Sequence, residues 1–271
     1  MRIPDQLAKC VGFVSSAENT LQYRGTAFVV IVPYDQTSGC LHLVTAKHVA
    51  IGVGDHCIIA INGRDGLPLY TKSEASQWFY HPTEADSVDV AVLPFATART
   101  DEYDIQPIPI GMFATHERIE KYSIGLGDEI FTIGLFTKFF GSSKLTPIVR
   151  TGNIAMMPTD QVPLNNFGKA EVYLVESRSI GGLSGSPVFC RNTLHLQTAN
   201  YLGQSTALSG LGNLSLLGVV HGHWDLPAAF SSPERAEAVN MGVSIVIPAK
   251  KILETLDNPE LVAEREKAFA R

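Results

Sequence analysis

Short apolar runs rich in Val, Ile, Phe and Thr recur along this chain between Gly, Pro, Asn and Asp residues, and no other feature constrains the fold as much. TAFVVIV (26–32), HLVTAKHV (42–49), HCIIAI (56–61) and VDVAVLPF (88–95) lie in the first half. IFTIGLF (130–136), EVYLVES (171–177), LLGVVHG (216–222) and VSIVIP (243–248) lie in the second. Runs of this length between turn-forming residues are strands, so the chain is expected to be all-β. Between Thr97 and Ser123 the strand pattern lapses, with Asp101, Glu102, Asp104, Pro107 and Pro109 in its place. This stretch is expected to cross from one half to the other.

The chemistry gathers on three of these segments. A serine hydroxyl attacks a carbonyl only if an imidazole takes its proton, and the imidazole needs an acceptor behind it to fix its tautomer. Ser184 lies in GGLSGSPVF (181–189), His48 in LVTAKHVA (43–50) and Asp89 in DSVDVAVLPF (86–95). Asp86 is three residues from Asp89, and Asp89 is preferred because it abuts the Val90-Ala91-Val92-Leu93 run. Glycines around a nucleophile permit a tight turn whose backbone N–H groups converge on a developing oxyanion. Gly182 and Ser184 are the expected donors.

With Gly25-Thr26-Ala27-Phe28, Thr45-Ala46-Lys47-His48, Asp89-Val90-Ala91-Val92-Leu93 and the Gly-x-Ser-Gly-x-Pro turn, the chain resembles the trypsin-like (chymotrypsin-fold) serine peptidases. GDEIFTIGLF (127–136), VRTGNIA (149–155), LGVVHGH (217–223) and NMGVSIVIPAKKIL (240–253) extend the resemblance over roughly residues 22–256 and look most like its HtrA or Deg-like branch. The resemblance implies two six-stranded Greek-key β-barrels with the active site between them, followed by C-terminal helices. The expected division is a single peptidase domain, with a first barrel over 1–115, a second over 116–247 and helices over 248–271. Pro248 is expected at a first helical position, and Asn258-Pro259 as a cap and first-turn proline restarting a helix. A peptide-binding PDZ module is not expected in this sequence. Two departures stand out. Leu183 occupies the place where digestive members carry an acidic residue, which argues against an amine-triggered zymogen switch, and Ser186 replaces the second glycine after the nucleophile.

The same resemblance places the primary specificity pocket at Arg178-Ser179-Ile180, His221-Gly222-His223 and Gly242. A cationic floor at Arg178 with imidazoles nearby would favour an acidic side chain before the scissile bond. Arg178 turned outward to water would leave a small or apolar pocket. His221 and His223 share a face at period two, but no third ligand accompanies them at metal spacing, so no metal and no cofactor is expected. His81 reads as a loop residue.

Composition narrows the partners. A net charge of -6, from 21 basic and 27 acidic residues, provides no basic stripe for a nucleic-acid backbone. No apolar run has the length of a membrane span, and MRIPDQLAKCVGFV (1–14) lacks the uninterrupted apolar core of a signal peptide. Cys10, Cys40, Cys57 and Cys190 are too scattered for a disulfide scaffold and read as free thiols of a cytoplasmic protein. The expected partner is a protein or peptide substrate, with no nucleic acid and no membrane. Oligomeric state has no sequence signal here. Two other readings compete: a peptide-binding scaffold that keeps the fold without productive geometry, suggested by Leu183 and Ser186, and an α/β-hydrolase esterase, whose Gly-x-Ser-x-Gly elbow Ser186 breaks.

Overall fold

A computed structural model describes residues 3–18, 22–36, 38–95, 100–164, 167–177, 182–191, 195–197, 206–208, 213–225 and 240–269. In the first half, β1 (Val11–Ser16), β2 (Tyr23–Pro33), β3 (Gly39–Thr45), β4 (His56–Asn62), β5 (Pro68–Glu74), β6 (Phe79–Tyr80), β7 (Ala91–Pro94) and β8 (Ile108–Pro109) form one sheet. Its order is β5-β4-β1-β2-β3-β7-β6, and β8 runs parallel to β2. This sheet curls no further into a hydrogen-bonded ring among the described residues, since no ladder joins β5 to β6.

In the second half, β9 (Glu129–Gly134), β10 (Ile148–Met156), β13 (Tyr173–Glu176), β14 (Pro187–Arg191), β17 (Leu214–Asp225) and β18 (Asn240–Pro248) do close, as a six-stranded barrel in the order β10-β13-β18-β17-β14-β9. Two small hairpins stand apart: β11 (Gln161–Leu164) with β12 (Gly168–Glu171), and β15 (His195–Gln197) with β16 (Thr206–Leu208).

Burial explains the sequence patterns. β2 is buried at every residue from Gly25 to Val30, as expected for a central strand covered on both faces, and its apolar run is continuous. In contrast, β10 alternates partly buried and exposed residues along IVRTGNIAM and shows one face to water. One apolar cluster runs through both halves and onto the C-terminal helices. It includes Phe28 and Val30 of β2, Phe131 of β9, Phe189 of β14, Val219 of β17, and Ile252 and Leu261 near the end of the chain.

Three helical segments differ from the sequence reading. The run at 42–49 breaks after β3, and α1 (Lys47–Gly52) begins at the residue before His48. The crossing stretch contains α2 (His116–Tyr122), whose Thr115 hydroxyl accepts the Arg118 N–H and whose Ser123 ends it at φ 47°. Thr115 is a good N-cap, but the short polar HERIEKY hides a helical face. Pro248 ends β18 and precedes α3 (Ala249–Leu256) as its cap, because its backbone is still extended at ψ 144°. Pro259 does open α4 (Pro259–Phe269), with the Asn258 side-chain Oδ1 accepting the Glu260 N–H. No helix among the described residues is long and apolar enough to cross a membrane.

Candidate active site

The seam between the halves is built from Thr26 outward. Its N–H donates to the Ser184 carbonyl at 2.9 Å, and its hydroxyl donates to the Gly182 carbonyl at 2.9 Å while accepting the Leu135 N–H at 2.9 Å. Its own carbonyl accepts the Thr45 hydroxyl at 2.6 Å. One buried residue of β2 therefore holds both ends of the Gly182–Ser184 turn and the end of β9. The turn is completed by the Gly185 N–H on the Val220 carbonyl and the Val220 N–H on the Ser186 carbonyl. Gly182 and Gly185 sit at φ 99° and 82°, where a side chain is strained. The GTAF sequence signalled Thr26, but only as part of a strand.

Ser186 fits this turn because its neighbour on β9 is Gly134. A Cβ on Gly134 would run into the Ser186 hydroxyl, which is buried and has no partner among the described residues. We expect Gly134→Ala to cost about 2–3 kcal/mol through overpacking. Adding Ser186→Gly should recover about half of that, because Thr26 Oγ1 at 2.8 Å still crowds the new methyl. A double-mutant cycle of urea melts measures the coupling.

His48 lies in the first turn of α1, where backbone N–H groups lack helical partners. Asp89 satisfies one of them: its Oδ1 accepts the His48 N–H at 2.8 Å, and its Oδ2 lies 2.7 Å from His48 Nδ1. Asp89 precedes β7 and is fully buried, whereas Asp86 is exposed. Lys47 pins the intervening loop, donating to the Ala85 carbonyl at 2.6 Å with its ammonium 5.2 Å from the Tyr80 ring centroid. The Ser184 hydroxyl donates to the His221 carbonyl at 3.2 Å, and no hydrogen bond joins it to His48 among the described residues. The hydrogen-bonded line expected from the sequence is thus formed between imidazole and carboxylate, while the alcohol stands beside it on another acceptor.

His221 makes a contact that the sequence reading did not foresee. Its Nδ1 lies 2.5 Å from the Asp89 Oδ2. The ladder between β17 and β18 shifts register between Val220 and Gly222, and again between His223 and Asp225. A bulge re-aims a side chain and breaks the two-residue alternation from which a shared face was read. Gly242, at φ 79°, accepts the Ser177 N–H through its carbonyl, so β18 borders the segment leading to the nucleophile turn. Arg178 and Ser179 lie outside the described residues.

Burial alone would push the Asp89 carboxyl up, but the N–H donors of His221 and His48 outweigh it and hold it at about 2. Burial also pushes the Cys190 thiol up to about 12 and the Cys10 thiol higher still, which removes both as reactive thiolates.

Among the described residues, two side-chain groups have the composition of a metal site: His48, Asp89 and His221, and His81, Glu84 and Glu254. In the first, both Nδ1 atoms are within hydrogen-bonding distance of one carboxylate oxygen. In the second, His81 Nδ1 accepts the Glu84 N–H at 3.0 Å, which leaves its Nε2 to donate to Glu254 at 2.8 Å. The Lys251 ammonium already bridges Glu84 and Glu254, at 2.7 and 2.9 Å. The His81 loop is thereby fastened to α3.

Comparison with solved structures gives the same architecture. Deg5 superposes with a TM-score of 0.53 at 15% identity, over 96% of this chain and 92% of that one. Human heparin binding protein superposes with a TM-score of 0.50 at 9% identity, over 95% and 93%. No protein-family model matches the chain, and no curated protein matches it in sequence. The fold is the two-barrel fold of the trypsin-like serine peptidases.

Proposed function

We propose that this chain is a serine endopeptidase working through an acyl-enzyme on Ser184. His48 takes the hydroxyl proton and later returns it to the leaving amine, Asp89 holds the imidazole, and the Gly182 and Ser184 N–H groups receive the oxyanion. The observation that carries this reading is the buried Asp89, bonded to both the backbone and the ring of His48 beside a Ser184 turn held by Thr26. Such an arrangement fixes the imidazole tautomer and leaves its Nε2 free for a proton. For attack, the Ser184 hydroxyl must leave the His221 carbonyl and present its proton to that nitrogen.

The substrate is a protein or peptide, and the chain acts as a single peptidase domain. Preference for an acidic side chain before the scissile bond rests on Arg178 and His223, since the His221 ring is committed to Asp89. A peptide library cleaved exclusively after basic residues would remove it. The thiols of Cys10, Cys40, Cys57 and Cys190 support the cytoplasm as the compartment.

A fluorophosphonate probe tests the proposal. It should label Ser184, fail on Ser184→Ala, and label more slowly on acidification because His48 must be neutral to accept the proton. The second reading, a peptide-binding scaffold, is favoured by the Ser184 hydroxyl resting on the His221 carbonyl. A folded sample that never labels, with or without peptide, would establish it instead.

A further inference from the structure

We propose that His221 is a positioning residue of this site, a second imidazole that shares the Asp89 carboxylate with His48 and tempers how strongly His48 holds a proton. The inference rests on the peptidase reading above and deepens it. Asp89 Oδ2 lies 2.7 Å from His48 Nδ1 and 2.5 Å from His221 Nδ1, so one oxygen serves two rings. Asp89 is fully buried, and the His221 side chain is 10% exposed. The carboxylate therefore has no bulk water to disperse its charge, and its N–H donors do so instead. A neutral ring that donates from Nδ1 leaves its Nε2 as an acceptor.

The geometry around His221 is built rather than incidental. The ring meets His48 edge-on at 5.6 Å between centroids and Phe167 edge-on at 5.5 Å. Lys47 places its ammonium 6.0 Å from the Phe167 centroid. Among the described residues, the titratable groups in contact with the His221 ring are thus Asp89 and His48, with Lys47 against Phe167. The β17 bulge turns the ring inward, and the same residue's carbonyl holds the Ser184 hydroxyl.

A second donor on Oδ2 fixes the carboxylate in place and weakens the attraction it exerts on a proton at His48. Removing that donor has two consequences. The carboxylate loses a restraint, which slows attack by Ser184. The charge it turns on His48 also becomes less compensated, so the His48 imidazolium is stabilised and its deprotonation moves to higher pH.

The test compares His221→Leu, which removes the donor, with His221→Asn, whose amide nitrogen stands where Nδ1 stood. Fluorophosphonate labelling rates are measured across pH, and the His48 ring is titrated by NMR in the same samples. Leu should slow labelling about tenfold or more and move both the acid limb and the His48 NMR midpoint up by about half a unit or more. Asn should restore most of the rate and the midpoint. If Leu fails to fold, His221→Gln takes its place, because its amide sits at the Nε2 position. Unchanged labelling and an unchanged His48 midpoint in a folded donor-less variant would overturn the inference. A wild type that never labels, but whose His48 midpoint still moves in the variant, would sink the peptidase reading and leave the shared carboxylate standing.

Discussion

Asp89→Asn should lower turnover about 10⁴-fold with the fold retained, the scale of loss seen when a triad carboxylate becomes an amide. Three N–H groups converge on Asp89: the His48 backbone, the His48 ring and the His221 ring. An amide supplies one acceptor oxygen and turns its own N–H₂ on the remaining donors. His48 then accepts at Nδ1 and carries its proton on Nε2, where it cannot receive one from Ser184. Single-turnover hydrolysis of an acyl substrate measures the loss, and circular dichroism confirms the fold.

The same substitution should remove a pH dependence. A carboxyl held at about 2 in the folded chain stabilises it above the ordinary aspartate value, and that contribution fades as the pH falls through about 2. It amounts to about 2 kcal/mol between pH 4 and 2. Urea midpoints of the wild type should fall more steeply across that window than those of Asp89→Asn. Equal slopes would mean that the imidazoles do not hold the carboxyl down.

Gly185→Ala should be among the most damaging single methyls in the described residues. Gly185 sits at φ 82°, and a Cβ there would run into the Thr26 carbonyl and the Thr45 hydroxyl, with the Ala46 nitrogen at 3.1 Å. Those atoms belong to the first half, and the turn belongs to the second, so relief requires the halves to part. We expect a loss of about 4 kcal/mol from backbone strain and overpacking, or roughly 10 °C in Tm. Gly222→Ala is the matched control, since its Cβ would meet nothing within 4 Å. It should move stability by less than about 0.5 kcal/mol. Similar melts for the two variants would remove the close fit of the nucleophile turn.

His48, Asp89 and Ser184 were legible as candidates because each stands at a boundary between a strand-like run and a turn, and because their residue types suit one chemistry. Their meeting at one seam follows from ladders that join β3 to β7 and β14 to β17. The direction of the His221 ring was not legible. Strand alternation predicts a face, and a register shift of one residue reverses it without leaving a mark on composition. α1 was hidden for a different reason: KHVAIG is as apolar as a strand, and only the extended Ala46 and the Asp89 oxygen at the His48 N–H make it turn. The unclosed first sheet was equally hidden, since ring closure depends on how far neighbouring strands shear and tilt, which apolar spacing does not encode.

The apolar cluster that passes from β2 through the closed barrel to α4 also bears on how such a chain could be divided. Phe28 and Leu261 share it although they stand near opposite ends of the sequence. The part of the interior that the two halves share closes only with the last helices in place, so a proteolytic nick that removes them uncovers oily surface on the first sheet as well as the second. Fragments of this molecule are therefore expected to rescue one another by reassembly in trans, rather than to survive as independent remnants.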